Sequence, residues 1–265
     1  MGIHPTAIVD AGADLGNVEV GPYAVIGSGV KLHDGVRVGP HAVLIGNTVV
    51  GADCQIHAHA VIGGDPQDLK YAGETSGLEI GERNVFREYV TVNRGTAQGG
   101  ALTRIGNDNL FMACAHVGHD ARIGSHCVLA NSVALAGHVT VEDSAVLGGM
   151  AGVHQHSRIG RYAMLGAGAM AAQDVPPFSI AQGDRARLFG LNIIGLRRGG
   201  FDSDAISALR NAFRELFSKG APLRIAVEKV RQAHGETGEV QELLTFVESS
   251  QRGLCRSAGP EVPTD

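Results

Sequence analysis

At 265 residues, 44% hydrophobic and with a formal net charge of −5, the chain is long enough to bury a large core and too apolar for an intrinsically disordered protein. Its four cysteines (Cys54, Cys114, Cys127 and Cys255) form no C-x-x-C pair, which speaks against a disulfide framework or a thiolate metal site. The first cationic side chain is Lys31 and no apolar run approaches the length of a membrane span, so a soluble cytoplasmic protein without stable membrane insertion is expected.

The N-terminal part is a repeat. Every sixth residue from Val20 is aliphatic: Ile26, Leu32, Val38, Leu44, Val50, Ile56 and Ile62 follow. The series resumes at Ile80 and Phe86, then runs from Ile105 through Phe111, Val117, Ile123, Leu129, Leu135, Val141, Leu147, Val153 and Ile159 to Leu165. Neither an α-helix nor an alternating strand has this period. Four places after many of these residues stands a small or β-branched one, such as Ala24, Ala42, Ala121, Cys127, Ala145 and Ala163, and glycine often follows the aliphatic directly. The pattern predicts short flat strands joined by tight corners, three hexads closing an 18-residue triangular coil, and coils stacked into a parallel β-helix.

Two polar, glycine-rich stretches, residues 64–79 and 93–104, break the period and are read as loops extruded from a rigid scaffold, common homes for binding residues. The β-helix is assigned to residues 1–190. From 191 to 256 the rhythm turns helical: "DSDAISALRNAFRELFSK" with Asp202 or Ser203 as N-cap, then "LRIAVEKVRQAH", then "EVQELLTFVESSQRGL". Residues 257–265 read as a disordered tail. Between Arg185 and Arg231 ten Lys/Arg stand against four Asp/Glu, a basic region that suits an anionic partner, while the scarcity of aromatics there argues against nucleic acid.

The segment "AHVGHD", Ala115 to Asp120, carries the candidate chemistry. His138 lies 18 residues after Asp120 and 19 after His119, so coil geometry brings them near each other; His116 shares the coil of His119, and His154 lies 16 beyond His138. A column of imidazoles on one wall is expected. Such a column fits either a histidine base oriented by Asp120 or three histidines on zinc.

The hexad pattern resembles that of the hexapeptide-repeat acyltransferases, whose coils wind left-handed. Within that class the stretches "IHPTAIVDAGA", "DPQDLKYAGE", "RGTAQGG", "AHVGHD", "LAGHVTV", "GGMAGVHQ", "AQDVPP", "QGDRA" and "LNIIGLRRGGF" resemble the UDP-N-acetylglucosamine O-acyltransferases over nearly the whole chain. The resemblance implies a mainly β fold, a left-handed parallel β-helix with a C-terminal α-helical domain. It further implies transfer of an (R)-3-hydroxyacyl chain from the phosphopantetheine of acyl carrier protein to the glucosamine 3-OH of UDP-N-acetylglucosamine, the first step of lipid A assembly. It implies a homotrimer and no bound cofactor or metal. His119 would be the general base, Asp120 its orienting acid, and the Gly137 N–H the oxyanion donor. Gln67, Asp68 and Lys70 would meet the sugar and reacting groups, and His116, His138, His154 and Gln155 the sugar and pyrophosphate. Asn192 and Arg198 would reach the nucleotide held by a neighbouring subunit, and Met164 and Ala167 would line the acyl groove.

Three residues depart from the family pattern: Ile194 in place of glutamate, Gly199 in place of a further arginine, and Ala167 where glycine is common, the last implying a shorter acyl chain. Two rival readings share the fold: N-acylation of a 3-amino analogue of the sugar nucleotide, and a zinc-dependent hydratase.

Overall fold

A computed structural model describes residues 2–217 and 222–258. Its main body is a parallel β-helix built mostly from two-residue strands. Strand partners stand 18 residues apart where no loop intervenes, as in Arg104↔Arg122↔Thr140↔Arg158 and Leu110↔Val128↔Val146↔Met164. Three flat faces result, and the chain visits them in turn: face I holds His116–Val117, face II Arg122–Ile123 and face III Val128–Leu129. The period-six aliphatics point inward; Ile26, Leu44, Phe111, Leu135 and Leu147 are fully buried, and so are the small residues Ala24, Ala42, Ala121, Ala145 and Ala163 beside them. A small residue at the corner leaves room for the long one on the next face, which is how the triangular section fills without voids.

Most corners turn through a residue in the left-handed region. At corner I/II these are Asp120, His138 and His156, with φ of 58°, 60° and 63°. That conformation costs a non-glycine residue about 1–2 kcal/mol, and Asp and His tolerate it better than most. Inside corner II/III the polar groups satisfy one another coil to coil: Asn109 Nδ2 donates to Asn84 Oδ1 at 2.9 Å, and Cys127 N donates to Asn109 Oδ1 at 2.7 Å.

Both expected loops leave face I at corner I/II, beside Asp120. They are shorter than the composition suggested, spanning 65–76 and 94–101, because Gly77–Ile80 and Leu102–Ile105 are strands paired along face II.

The coil stack ends in an antiparallel hairpin, Ser179–Gln182 with Arg187–Leu191. Four helices follow: α1 (Ile193–Arg198), which the periodicity did not announce, α2 (Ser203–Phe217), α3 (Leu223–His234) and α4 (Gly238–Ser249). Asp202 accepts from Ala205 N at 2.7 Å and so caps α2. Leu209, Ala212, Ala226, Leu243 and Leu244 bury themselves against Leu196 and Phe178, which joins the helical layer to the last coils. Arg161 pairs with Glu242 at 2.7 Å across the same junction.

The third expected helix stops short. Its continuation is drawn back to the coils, since Ser250 Oγ donates to buried Asp174 Oδ2 at 2.7 Å and Leu254 bridges to Asp174. Of the expected disordered tail, Ser257 and Ala258 pair with Leu188, while 259–265 lie outside the described residues, as do Ser218 and Lys219 at the end of the first expected helix. Among the described residues no helix is long and apolar enough to cross a membrane.

Candidate active site

The hairpin-free corner I/II gathers the chemistry. Asp120 sits at the turn with its side chain fully buried, and its Oδ2 lies 2.8 Å from His119 Nδ1. Thr96, carried in by the loop 94–101, donates from its N–H to Oδ1 at 2.9 Å and from its hydroxyl to Oδ2 at 2.7 Å. Asp120 N in turn donates to Thr103 Oγ1 at 2.8 Å. A carboxylate so engaged accepts from His119 Nδ1–H and leaves Nε2 with its lone pair free, the tautomer a base requires. His119 remains 13% exposed, open to a substrate from one side.

Gly137, on the next coil, lies directly under that ring. A Cβ placed there would fall 2.5 Å from His119 Cε1 and Nε2, so only glycine lets the imidazole take this position. Among the described residues the Gly137 N–H has no internal acceptor, whereas the following amide, His138 N, is spent on His119 O at 2.9 Å.

The imidazoles do not form the single column that spacing suggested. The stack at corner I/II is His119, His138 and His156: His138 meets His119 edge-on at 5.1 Å and lies flat on His156 at 4.5 Å. His116 and His154 stand instead on face I, two coils apart, because each falls before the corner rather than at it. His116 Nδ1 is 2.7 Å from Thr91 Oγ1, and His154 Nδ1 is 2.8 Å from Arg252 of the returning C-terminal segment. Burial holds His138 below the ordinary imidazole range, with the Asp120 charge opposing and the neighbouring imidazoles adding; burial, then His119, does the same to His116. Both are therefore neutral at neutral pH.

His116 and His154 flank a groove of about 430 Å³ on face I, lined by Ala134, Ala136, Gly152, Val153, Ala171 and Met170 and ending at Asp184 and Arg185. Gln155 is exposed in the turn next to His154. Gln67, Asp68 and Lys70 lie on the loop 65–76, where Lys70 N donates to Asp68 Oδ1 and Asp68 is near enough to favour the charged form of His138. Buried Arg94 ties the two loops together, bonding Asp65, Gly63 O and the Tyr71 hydroxyl.

Three expected groups lie elsewhere on the same chain. Asn192 is 7% exposed and caps α1, accepting from Gly195 N at 3.0 Å and donating to Tyr162 O at 3.0 Å, at corner II/III; Arg198 is exposed at the end of that helix. Met164 and Ala167 lie on and just past face III, not in the face I groove. The departures have local reasons in part. A Cβ on Gly199 would lie 2.6 Å from Tyr162 Cε1, so the tyrosine ring occupies the space an arginine stem would need. Ile194 is exposed on α1, and nothing in a single chain explains it.

Thr96, Thr103, His156 and Arg252 belong to this neighbourhood but were not singled out from the sequence. His156 alone had a signal, standing 18 residues after His138. Among the described residues, His119, Asp120 and His138 are the group whose ligand atoms approach closely enough to share a metal, within 4.8 Å, but the expected three-histidine set does not converge. In that trio His119 Nδ1 and Asp120 Oδ2 face each other rather than a common point.

A stacked-coil β-helix with a buried carboxylate behind a surface histidine and a free amide beside it defines a hexapeptide-repeat acyltransferase. Residues 29–64 and 102–137 match the family model "Bacterial transferase hexapeptide (six repeats)", and residues 174–255 match "Udp N-acetylglucosamine O-acyltransferase; Domain 2". The chain is 47% identical over 96% of its length to the acyl-[acyl-carrier-protein]–UDP-N-acetylglucosamine O-acyltransferase of Stenotrophomonas maltophilia, covering 97% of that protein. It is 48% identical to the protein of the same name from Paraburkholderia phymatum, with 96% and 99% of the two chains covered. Among solved structures, LpxA of Acinetobacter baumannii superposes with a TM-score of 0.93 at 39% identity, covering 96% and 99%, and the UDP-N-acetylglucosamine acyltransferase of Francisella novicida with 0.94 at 33%, covering 97% and 94%. The chain belongs to the UDP-N-acetylglucosamine O-acyltransferase family, an acyltransferase whose coils wind left-handed.

Proposed function

We propose that this chain transfers an (R)-3-hydroxyacyl group from acyl carrier protein to the glucosamine 3-OH of UDP-N-acetylglucosamine, the first step of lipid A assembly, in the cytoplasm. The observation that carries it is the Thr96–Asp120–His119 relay ending in a free Nε2 over the unpaired Gly137 N–H. His119 Nε2 takes the hydroxyl proton as the sugar oxygen attacks the thioester carbon, and Asp120 stabilises the imidazolium. The Gly137 amide receives the oxyanion. Collapse breaks the carbon–sulfur bond, and the imidazolium returns its proton to the departing phosphopantetheine thiolate.

No acyl-enzyme is needed. Burial pushes the Cys127 thiol up to about 12 and Cys255 to about 11, and it raises Cys54 too, so these three are poor nucleophiles. The polar ends of the acceptor fall to His116, His138, His154 and Gln155 on one side and to Gln67, Asp68 and Lys70 on the overhanging loop. Asn192 and Arg198 sit at corner II/III, a different edge of the triangular prism from His119 at corner I/II. One chain cannot close a nucleotide site from both edges, which favours a homotrimer in which face I of one subunit opposes face III of the next. Met164 and Ala167, on and beside face III, would then face the groove from the neighbour. The basic segment from Arg185 to Arg231 suits the acidic carrier protein.

The test is thiol release from 3-hydroxyacyl carrier protein with UDP-N-acetylglucosamine, comparing wild type with His119→Ala, with and without chelator. Turnover that survives chelation and vanishes in the variant supports the proposal. Turnover only with the 3-amino sugar nucleotide would replace it with N-acylation, and loss on chelation would return the zinc reading.

A further inference from the structure

The chain beyond α4 is pinned to the coils on both sides of one residue, Arg252. Before it, Ser250 Oγ donates to Asp174 Oδ2 at 2.7 Å. After it, Asp174 N donates to Gly253 O at 2.8 Å and Cys255 N donates to Asp174 O at 2.9 Å. Asp174 is itself buried and accepts from Arg158 N at 2.9 Å on its other oxygen, so the anchor belongs to the body of the prism. Gly253 turns the segment with a φ of 81°, which glycine adopts without steric cost. Between these anchors the Arg252 guanidinium makes two contacts: Nε donates to Ala172 O at 3.2 Å, and Nη2 stands 2.8 Å from His154 Nδ1.

The second contact decides a tautomer. A guanidinium has only N–H donors, so His154 Nδ1 must accept and the ring proton must sit on Nε2. A competing partner is close by, as Gln155 O stands 3.3 Å from the same Nδ1. A carbonyl oxygen only accepts, so with Arg252 gone Nδ1–H would donate to it and Nε2 would carry a bare lone pair. The two neighbours pull the ring to opposite states, and the nearer, charged one prevails. His154 is exposed, with the small residues Ala136 and Ala172 at the equivalent places on the coils before and after it, which leaves the ring open to a ligand.

We infer that Arg252 is a positioning residue for substrate binding: it holds His154 as a hydrogen-bond donor at Nε2, toward a phosphate or hydroxyl oxygen of the acceptor. The inference rests on the reading above in which His154 meets UDP-N-acetylglucosamine; the tautomer does not. A phosphate oxygen offers only lone pairs at neutral pH, so an Nε2 without its proton would lose that bond. The residues after the last helix thereby order a side chain that belongs to the coils.

The experiment is nitrogen NMR of the His154 ring in the full chain without substrate, joined to steady-state kinetics, for wild type, Arg252→Ala and Arg252→Lys, with melting curves to verify folding. Wild type and Arg252→Lys should show the Nε2–H form and Arg252→Ala the Nδ1–H form. Arg252→Ala should raise KM for UDP-N-acetylglucosamine roughly fivefold to tenfold with kcat within about twofold, and Arg252→Lys should recover most of that loss. In a His154→Ala background Arg252→Ala should add nothing. An unchanged tautomer in Arg252→Ala, or the same KM penalty with and without His154, would overturn the role of Arg252. A tautomer that switches while KM stays fixed would overturn the contact with the acceptor and leave the transferase reading intact. Absence of turnover in wild type would overturn that reading and the role in substrate binding with it, whatever the tautomer.

Discussion

Thr96 and Asp120, 24 residues apart in sequence, share two hydrogen bonds, N–H to Oδ1 at 2.9 Å and hydroxyl to Oδ2 at 2.7 Å, on the same carboxylate that orients His119. The loop 94–101 thus helps to fix the imidazole proposed as the base rather than merely decorating the coil. Thr96→Val keeps the shape and the N–H bond but removes the hydroxyl donor. It should lower kcat about tenfold with little change in KM, and Thr96→Ser should restore most of it, as steady-state kinetics would show.

Asp120→Asn offers an amide N–H where His119 now finds an acceptor. The imidazole must then flip or take the other tautomer, and kcat should fall by about 100- to 10,000-fold while the fold is retained. A proton NMR signal for a His119 Nδ1–H bonded to carboxylate, present in wild type and absent in the variant, would check the cause.

Gly137→Ala is expected to be as damaging as loss of the base. The new methyl would occupy the space of His119 Cε1 and Nε2, displacing the ring from the amide proposed to receive the oxyanion. A kcat loss of about 100-fold or more, with a near-native circular dichroism spectrum, is the expected outcome.

Stability should fall on acidification from the histidines of this wall. His116 and His138 are held below their ordinary value of 6.5, so the unfolded chain binds their protons more readily than the folded one. Their contribution is complete above that value and is lost as pH drops below it. Urea midpoints measured from about pH 7.5 to 5 should decline in wild type and decline less steeply in His138→Ala.

The buried ladder of corner II/III supplies a prediction about folding alone. Asn109 links Asn84, Gly124 O and Cys127 N, and Asn109→Ala strands at least one of these groups away from water. A cost of about 2–4 kcal/mol is expected, seen as a lower thermal midpoint with kcat little altered in the enzyme that remains folded.

The coils were legible because their signal is redundant. A face is written by Val20, Val38 and Ile56, again by Phe111, Leu129 and Leu147, and an error at one position leaves the period standing. The pairing of His119 with Asp120 was legible for a related reason, the two being adjacent in sequence and Asp120 standing 18 residues before His138. Thr96 was not, because its approach depends on the fold of a loop that obeys no period. The separation of His116 and His154 from the corner stack was also hidden, since a difference of two or three residues in an 18-residue coil moves a side chain from the corner onto the flat face before it. The end of α4 was missed because buried Asp174, 76 residues earlier, captures Ser250 and draws the chain away from a helical pattern that would otherwise continue.

The left-handed turns of Asp120, His138 and His156 occupy equivalent places on three consecutive coils. Excising residues 121–138 would rejoin Asp120 to Val139 in the same phase of the repeat, preserving the ladder and the aliphatic period. Such a protein would still stack, with His156 beside Asp120 in place of His138, but Gly137 would be gone. Removal of a whole coil therefore leaves the stacking rule untouched at any level of the prism, but at this level it also removes the amide that lies under the His119 ring.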